Sequence, residues 1–116
     1  MRNGRIVDKF GDVRWYLNKE LHRTGGPAVE RVDGSCEWWL YGQLHREDGP
    51  AIEWANGSCF WYVNDQLHRT SGPAVEWATG DREWWLHDKY YSFAEWLKHL
   101  NTTPETRTLL IIKWSR

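Results

Sequence analysis

Three histidines that recur at a fixed interval are the first residues in this chain to suggest a chemical role. His22, His45 and His68 each stand between a leucine and an arginine, and 23 residues separate one from the next. Imidazole nitrogens that share one Zn²⁺ lie within roughly 3.5 Å of each other. Equivalent positions in successive hairpins of a sheet lie about 10 Å apart. We therefore expect no metal site, and we expect each histidine to hydrogen-bond a carbonyl group of the next turn.

Two pairs of glutamates raise the question of acid–base catalysis. Tight turns between them would place Glu30 opposite Glu37 and Glu76 opposite Glu83. Glycosidases hold two carboxyl groups roughly 5–9.5 Å apart, but the two acids are tuned differently inside one asymmetric pocket. An open face made of repeated units offers no such pocket. The sequence also lacks a phosphate loop, a His-Glu-x-x-His motif and a nucleophile elbow. We therefore predict that the chain is not an enzyme and uses no cofactor.

Three arginines follow the histidines at the same interval: Arg23, Arg46 and Arg69. A planar guanidinium group can bind phosphates or carboxylates and can stack on aromatic rings. Three glutamates are equally spaced along the chain: Glu30, Glu53 and Glu76. We expect each arginine to pair with one of these glutamates or to stack on a tryptophan, so that it offsets the repulsion between facing carboxylates.

Two cysteines occupy equivalent positions in successive copies of the pattern. Cys36 and Cys59 each follow a Gly-Ser pair. In successive hairpins they would be two strands, or about 10 Å, apart, whereas a disulfide needs Cα atoms within about 7 Å. We expect both thiols to stay reduced, as suits a cytosolic protein, and to behave as small apolar side chains on a core face.

A tandem unit of 23 residues underlies all of these patterns. Gly-Pro-Ala begins at Gly26, Gly49 and Gly72, and pairs of aromatic residues keep the same interval. The pairs are Trp15-Tyr16, Trp38-Trp39, Trp61-Tyr62 and Trp84-Trp85. Such periodicity is typical of arrays in which each copy packs on its neighbours. Alternating segments on both sides of a glycine turn predict one β-hairpin for each copy.

Asn56-Gly57 predicts the register of these hairpins, because it is the favoured pair for a two-residue type I′ turn. Such a turn places Trp54 opposite Cys59 and Ile52 opposite Trp61, which assigns every side chain to a face. One face is then an apolar core: Val13, Trp15, Leu17, Val29, Cys36, Trp38, Leu40, Ile52, Trp54, Cys59, Trp61, Val63, Val75, Trp77, Trp84 and Leu86.

The opposite face is the candidate binding surface, since aromatic rows beside arginines can stack on ligands or form a hot spot for a protein partner. Small alanines facing large rings, Ala28, Ala51 and Ala74, would leave a shallow trough there. The candidate binding residues are Tyr16, Trp39, Tyr62, Trp85, Arg23, Arg46, Arg69, Glu30, Glu53 and Glu76. Covering of this face by loops or by the C-terminal segment, as a second core layer, is the alternative.

The pattern changes at residue 92, so we divide the chain into an array over 1–91 and a helical cap over 92–116. Ser92 and Glu95 form a capping-box motif before an amphipathic run of about two turns. Thr103-Pro104 has the features of a second helix start. Residues 104–114 fit a helix or a strand, and we favour the helix. We expect these helices to cover the end of the array or its apolar face; a homodimer burying two such faces is the alternative.

Composition limits the class of protein. The 116 residues suit one small domain, and ten tryptophans enlarge its thin core. A formal charge of −1 argues against general nucleic-acid binding. No stretch has the roughly 18 apolar residues of a membrane span, nor does the N-terminus have the apolar region of a signal peptide. We expect a soluble cytoplasmic protein.

The repeated motif resembles the membrane occupation and recognition nexus repeat, called MORN, in its divergent form Trp-Tyr-x-Asn-Gly-x-x-His-Arg-x-x-Gly-Pro-Ala from bacteriophage and giant-virus proteins. The resemblance spans roughly residues 5–90. Matching aromatic segments are Trp15-Tyr16-Leu17-Asn18, Trp38-Trp39-Leu40-Tyr41-Gly42 and Trp61-Tyr62-Val63-Asn64, each followed by Leu-His-Arg and Gly-Pro-Ala. Unlike ordinary MORN units, these have Arg after His and Pro-Ala in place of a second glycine. The resemblance implies an elongated sheet built hairpin by hairpin and supplies no catalytic residue.

These observations predict a mainly β protein, an elongated antiparallel single-sheet array of about four hairpins with one or two short C-terminal helices. The favoured function is that of a non-enzymatic protein-interaction module, an accessory protein of phage type that binds or inhibits a host protein in the host cytoplasm. One alternative is a protein that binds or sequesters a nucleotide or a signalling molecule. Another is binding to a membrane surface, as proposed for ordinary MORN repeats.

Overall fold

A computed structural model describes residues 3–115, which form fourteen strands and two helices in a body of 49 × 28 × 21 Å. The strands are β1 Gly4–Val7, β2 Val13–Leu17, β3 Glu20–Leu21, β4 Val29–Glu30, β5 Cys36–Glu37, β6 Trp39–Leu40, β7 Gln43–Leu44, β8 Ile52–Glu53, β9 Cys59–Phe60, β10 Tyr62–Val63, β11 Gln66–Leu67, β12 Val75–Glu76, β13 Arg82–Leu86 and β14 Lys89–Tyr91. The helices are α1 Phe93–His99 and α2 Pro104–Trp114.

The strands pair antiparallel, mostly with their neighbours along the chain. Within residues 3–115, ten strands form one sheet in the order β1-β2-β4-β5-β8-β9-β12-β13-β14, with β3 also paired to β2. Two short ladders, β6-β7 and β10-β11, stand beside it. The predicted fold class, a mainly β, elongated array of hairpins with short C-terminal helices, is confirmed.

The predicted register is wrong by one residue. Ile52 lies opposite Phe60 rather than Trp61, and Glu53 lies opposite Cys59. The turn contains three residues, 55–57, because the Trp54 N–H donates to the Ser58 carbonyl at 2.9 Å. Of these three residues, Gly57 alone has a positive φ, of 97°. Asn56 instead uses its side chain to accept a hydrogen bond from the Ser58 N–H at 2.9 Å. Since a type I′ turn needs positive φ at both central residues, this connection cannot be one.

The one-residue shift places Val29, Ile52 and Val75 on the opposite face of the sheet from Cys36 and Cys59, with which they were predicted to lie. One row across the sheet is Glu30, Cys36, Glu53, Cys59 and Glu76. The neighbouring row is Val29, Glu37, Ile52, Phe60, Val75 and Glu83. The predicted single core face is therefore wrong, because Ile52 and Cys59 do not share a face. The facing glutamate pairs are wrong as well: Glu30 lies opposite Cys36, and Glu83 lies opposite Val75.

Two-residue turns with positive φ at both positions do occur, at the other end of each hairpin. Asn64 and Asp65, at φ 49° and 66°, connect β10 to β11. Equivalent pairs are Asn18-Lys19, Tyr41-Gly42 and His87-Asp88. The short polar side chains of Asn and Asp tolerate this left-handed conformation better than most residues.

Side chains at both ends of the hairpins join successive units. The Ser58 hydroxyl, on a residue only 1 % exposed, accepts a hydrogen bond from the Ala78 N–H at 2.9 Å. At the other end, Asp65 accepts a hydrogen bond from the Leu44 N–H at 2.9 Å. Between these ends the equivalent alanines are fully buried: Ala28, Ala51 and Ala74. The expected shallow trough at the alanines is therefore absent.

The two helices close the array at its C-terminal end. The Ser92 hydroxyl accepts a hydrogen bond from the Glu95 N–H, and Thr103 does the same for the Thr106 N–H ahead of α2. The Ser92 cap and the helix start at Pro104 are confirmed, as is the helical assignment of residues 104–114. The other half of the predicted capping box is wrong, because the Glu95 carboxylate lies 3.6 Å from Lys98 Nζ instead of bonding back to Ser92. The helices pack on the last hairpin around a cluster of buried residues: Trp84, Leu86, Trp96, Leu100 and Leu110. Neither of the helices that the structure describes is long and apolar enough to cross a membrane.

Candidate binding surface

Each of the three recurring arginines lies over a tryptophan ring. The Arg46 guanidinium carbon is 3.9 Å from the centre of the Trp38 ring. The equivalent distances are 4.4 Å for Arg23 over Trp15 and 3.8 Å for Arg69 over Trp61. A guanidinium group over an indole contributes about 0.5–2 kcal/mol, depending on how much water is excluded. The stack places each arginine side chain over the segment that contains its tryptophan, which precedes the arginine in the chain.

Hydrogen bonds hold the same guanidinium groups in place. Nη1 of Arg46 donates to the Pro50 carbonyl and to the Glu53 carboxylate, both at 3.2 Å. The other arginines make the same pair of bonds, to Pro27 and Glu30 and to Pro73 and Glu76. Both forms of contact expected from the sequence, ion pair and ring stack, are present together. Burial lowers the pKa of Arg69, and the Glu76 charge opposes that shift.

The ten predicted binding residues lie on two opposite faces. Trp15 and Tyr16 are adjacent in β2, so their side chains point to opposite sides of the sheet. The arginines and the glutamates paired with them lie on the Trp15 side, which we call the arginine face. The row of Tyr16, Trp39, Tyr62 and Trp85 lies on the other side, which we call the aromatic face. The structure therefore does not bring the aromatic row together with the arginines.

The aromatic face carries glutamates of its own. The indole N–H of Trp39 donates to Glu37 at 2.9 Å, and that of Trp85 donates to Glu83 at 3.0 Å. Arg31 also donates to Glu37, at 3.0 Å, and this bond raises the pKa of Arg31. The rings in the row are half-buried. The carboxylates that the sequence paired with each other are thus bonded to nitrogen donors instead.

The histidines link neighbouring units through their Nδ1 atoms. His45 Nδ1 accepts a hydrogen bond from the Asn64 N–H at 3.1 Å, and His68 Nδ1 accepts one from His87 at 3.0 Å. The predicted bond to a carbonyl is wrong, because the partner is a donor in the left-handed turn. Burial, followed by the nearby His87, lowers the pKa of His68. Within residues 3–115, no group of three or more His, Cys, Asp and Glu side chains is placed to hold a metal ion.

Both cysteines have free thiols and are partly buried on the arginine face. Cys36 and Cys59 alternate with glutamates in one row across the sheet. Burial and the neighbouring Glu53 raise the pKa of both thiols. A raised pKa keeps sulfur in the thiol form, which is a poor nucleophile. These residues therefore fit the packing role expected of them better than a reactive one.

Two open clefts lie on the arginine face at equivalent positions in successive units. The first cleft has a volume of about 410 Å³, and the second about 250 Å³. Lining the first are Arg23, Thr24, Gly25, Trp38, Leu40 and Arg46. Five of the residues 23 positions later line the second: Arg46, Glu47, Trp61, Val63 and Arg69. Each cleft thus has a tryptophan and an aliphatic side chain. On one side it has the corner of the previous unit, by which we mean the four residues that begin at the recurring arginine, 23–26 or 46–49.

The third equivalent position, which we call the end site, is filled by the C-terminal helices. Its tryptophan is Trp84, and its corner is formed by residues 69–72. The indole N–H of Trp96 donates to the Arg69 carbonyl at 3.0 Å, and that of Trp114 donates to the Ser71 carbonyl at 3.1 Å. Trp84, whose ring centre is 4.7 Å from that of Trp96, is only 7 % exposed.

Sequence reasoning missed the corner residues that shape these clefts. The pair of residues after each Leu-His-Arg is different in each unit, although Thr recurs at its first position: Thr24-Gly25, Glu47-Asp48 and Thr70-Ser71. Variation at these two positions of an otherwise regular unit was the available signal, since residues that vary between units are not needed to maintain the framework. Comparison of the chain with protein-family models, curated proteins and solved structures finds no match. The MORN resemblance therefore rests on the sequence motifs alone.

Proposed function

We propose that this chain is a non-enzymatic protein-binding module, a MORN-like tandem array whose partner binds along the arginine face. The observation that carries the proposal is the end site, where a helical segment of polypeptide already occupies a position equivalent to two open clefts. A surface that binds its own chain in one unit has the chemistry to bind another chain in the next. The phage-type motif favours a host protein as partner.

The lining of the clefts supports a protein partner. Tryptophan and arginine are the residues most enriched at the energetic centres of protein interfaces. Trp38 and Arg46 line the first cleft, and Trp61 and Arg69 line the second. Arg46 also donates through Nε to Asp48 at 3.0 Å, so its bonds already go to groups of its own chain. This arrangement favours recognition by packing over the phosphate binding that a nucleotide ligand would need.

Affinity capture from the host cell tests the proposal, with the tagged full-length chain compared to two variants. The cleft-blocking variant carries Thr24→Trp and Glu47→Trp, which add bulk at exposed residues of the first and second clefts. The control variant carries Ala78→Trp, an equally large change at an exposed turn residue outside the clefts. We expect one stoichiometric protein to be captured by the wild type and the control, and to be lost from the cleft-blocking variant.

The contrary result is equally clear. Capture of the same protein in the same amount by the cleft-blocking variant would show that the arginine face is not the binding surface. Matching circular dichroism spectra and melting temperatures of the three proteins establish that any loss of capture is not a loss of folding.

A further inference from the structure

We infer that the open clefts bind a tryptophan presented by a basic helix of the partner, in the way that the end site holds Trp114. This inference rests on the proposed function and specifies the partner's chemistry. It is based on a comparison of three equivalent places in one molecule, of which one is occupied by a helix of this chain.

The end site shows how a helix delivers a tryptophan to a corner. Trp114 is the last residue of α2, and its indole N–H reaches the Ser71 carbonyl. Its ring centre is 5.5 Å from the Arg69 guanidinium carbon and 5.9 Å from the Trp84 ring centre. The ring also lies against Gly72, where an added Cβ would come within 2.7 Å of it. Trp114 is partly buried, and the corner supplies an acceptor for its indole N–H.

The corners beside the two open clefts, residues 23–26 and 46–49, contain the same groups without the indole. The carbonyls equivalent to that of Ser71 are those of Gly25, which lines the first cleft, and of Asp48, which follows Glu47 at the corner beside the second. No hydrogen bond to either carbonyl occurs within residues 3–115. Gly26 and Gly49 repeat Gly72, and their nearest side-chain atoms belong to the arginine of their own corner. The corner beside each cleft therefore has the acceptor, the guanidinium group and the glycine that Trp114 contacts at the end site.

The end site contains two tryptophans from the helices, Trp96 and Trp114. One difference between the end site and the open clefts shows which of them a partner's tryptophan would resemble. Ser92 stands in the last unit where the other units have the stacking arginine. Trp96 and Phe93 cover the Trp84 ring instead, with ring centres 4.7 and 4.6 Å away. In the open clefts that place is already taken by Arg46 or Arg69. The position of Trp114, beside an arginine rather than in place of one, is the position left open.

Charge points to a basic helix. The side chain of Glu47, which lines both clefts, is 81 % exposed, and that of Asp48 beside it is 83 % exposed. Lysines or arginines flanking the tryptophan would face these carboxylates. In the chain's own segment one such residue, Lys113, directly precedes Trp114.

A peptide with the sequence of residues 92–115 is the probe, labelled with fluorescein and titrated with the full-length protein by fluorescence anisotropy. We expect the wild-type peptide to bind at least tenfold more tightly than a Trp114→Ala peptide. A Trp114→Leu peptide should fall between them, because leucine fills space but donates no hydrogen bond. Equal affinity of all three peptides, or the absence of binding, would overturn the inference.

The protein variants locate the binding. The cleft-blocking variant should lose at least tenfold in affinity for the peptide, while the Ala78→Trp control should bind as the wild type does. Undiminished binding to the cleft-blocking variant would mean that the peptide exchanges with the chain's own helices at the end site, which contradicts the inference. If the peptide fails to bind but host capture still depends on the clefts, the inference fails and the proposed function stands. If capture is also independent of the clefts, both fail.

Discussion

Trp61 and Trp84 occupy the same position in successive units, yet they are covered in different ways. Trp61 lies under the guanidinium group of Arg69 and remains half-buried. Trp84 lies under Phe93 and Trp96 in the apolar end cluster and is 7 % exposed. An inner unit is covered by the corner of the next unit, whereas the last unit has no next corner and needs a cap. The comparison shows that one framework accepts either a polar or an apolar cover.

Removing the apolar cover should have the largest effect. Trp96 is fully buried and also bonded to the Arg69 carbonyl, so Trp96→Ala removes a large ring and leaves that carbonyl without its donor. We expect a loss of about 3–5 kcal/mol in the free energy of unfolding, measured by guanidinium chloride denaturation. Tyr90→Ala is the control, because Tyr90 is 58 % exposed. A loss no larger than that of the control would show that the helices do not stabilise the array.

Replacing the arginine that covers an inner tryptophan should lower the free energy of unfolding by less than Trp96→Ala does, and by an amount that differs between units. Arg69→Met keeps the stem of the side chain but removes the ion pair with Glu76 and the bond to Pro73, for an expected loss of about 1.5–3 kcal/mol. The arginine side chains are 11 %, 21 % and 31 % exposed at 69, 46 and 23, so the loss should decrease in that order. Denaturant midpoints of the three single variants measure this series. Equal losses would show that burial does not set the strength of these contacts.

Lowering the pH should have the smallest effect on stability, and it should act through the hydrogen bonds that the histidines make between units. The pKa of His68 is lowered from its ordinary 6.5 in the folded chain, mainly by burial. The folded state thus favours the neutral ring, whose Nδ1 accepts the His87 N–H. Stability from this group is fully present above pH 6.5, the ordinary value, and decreases as the pH falls toward the lowered pKa.

The His68→Asn variant isolates this effect, since asparagine can offer an oxygen acceptor but does not titrate. We expect the melting temperature of the wild type to fall more steeply between pH 7 and pH 5 than that of the variant. Parallel curves would assign the acid sensitivity to other groups, of which His87, with its ring centre 4.3 Å from that of His68, is the nearest candidate.

The sequence was sufficient to predict the hairpin array, the helix caps and the contacts of the arginines. Each of these depends on residues close together in one unit or on a fixed interval. The register could not be predicted, because Asn56-Gly57 suits a two-residue turn and also a three-residue turn that ends in a left-handed glycine. The true two-residue turn at Asn64-Asp65 contains no glycine, so its signal was weaker.

The clefts could not be found from the sequence for a different reason. They form where the corner of one unit meets the strand of the next, so their walls come from residues far apart in the pattern, such as Thr24 and Trp38. Only the folded path of α2 shows that the equivalent corner at Ser71 receives an indole. The motif of a single unit shows neither that Thr24 lies beside Trp38 nor that α2 contacts the corner at Ser71.

The side-chain bonds from Ser58 to the next unit and from Asp65 to the previous one hold the hairpins at a set distance. Equivalent points in successive hairpins are about 10 Å apart, and an α-helix advances by that length in about seven residues. The array therefore sets the spacing that two side chains on one helix must have if both are to reach a cleft. A helix with aromatic residues seven positions apart would fill both clefts at once and gain avidity. A helix whose aromatic residues have a different spacing would fill only one of the clefts.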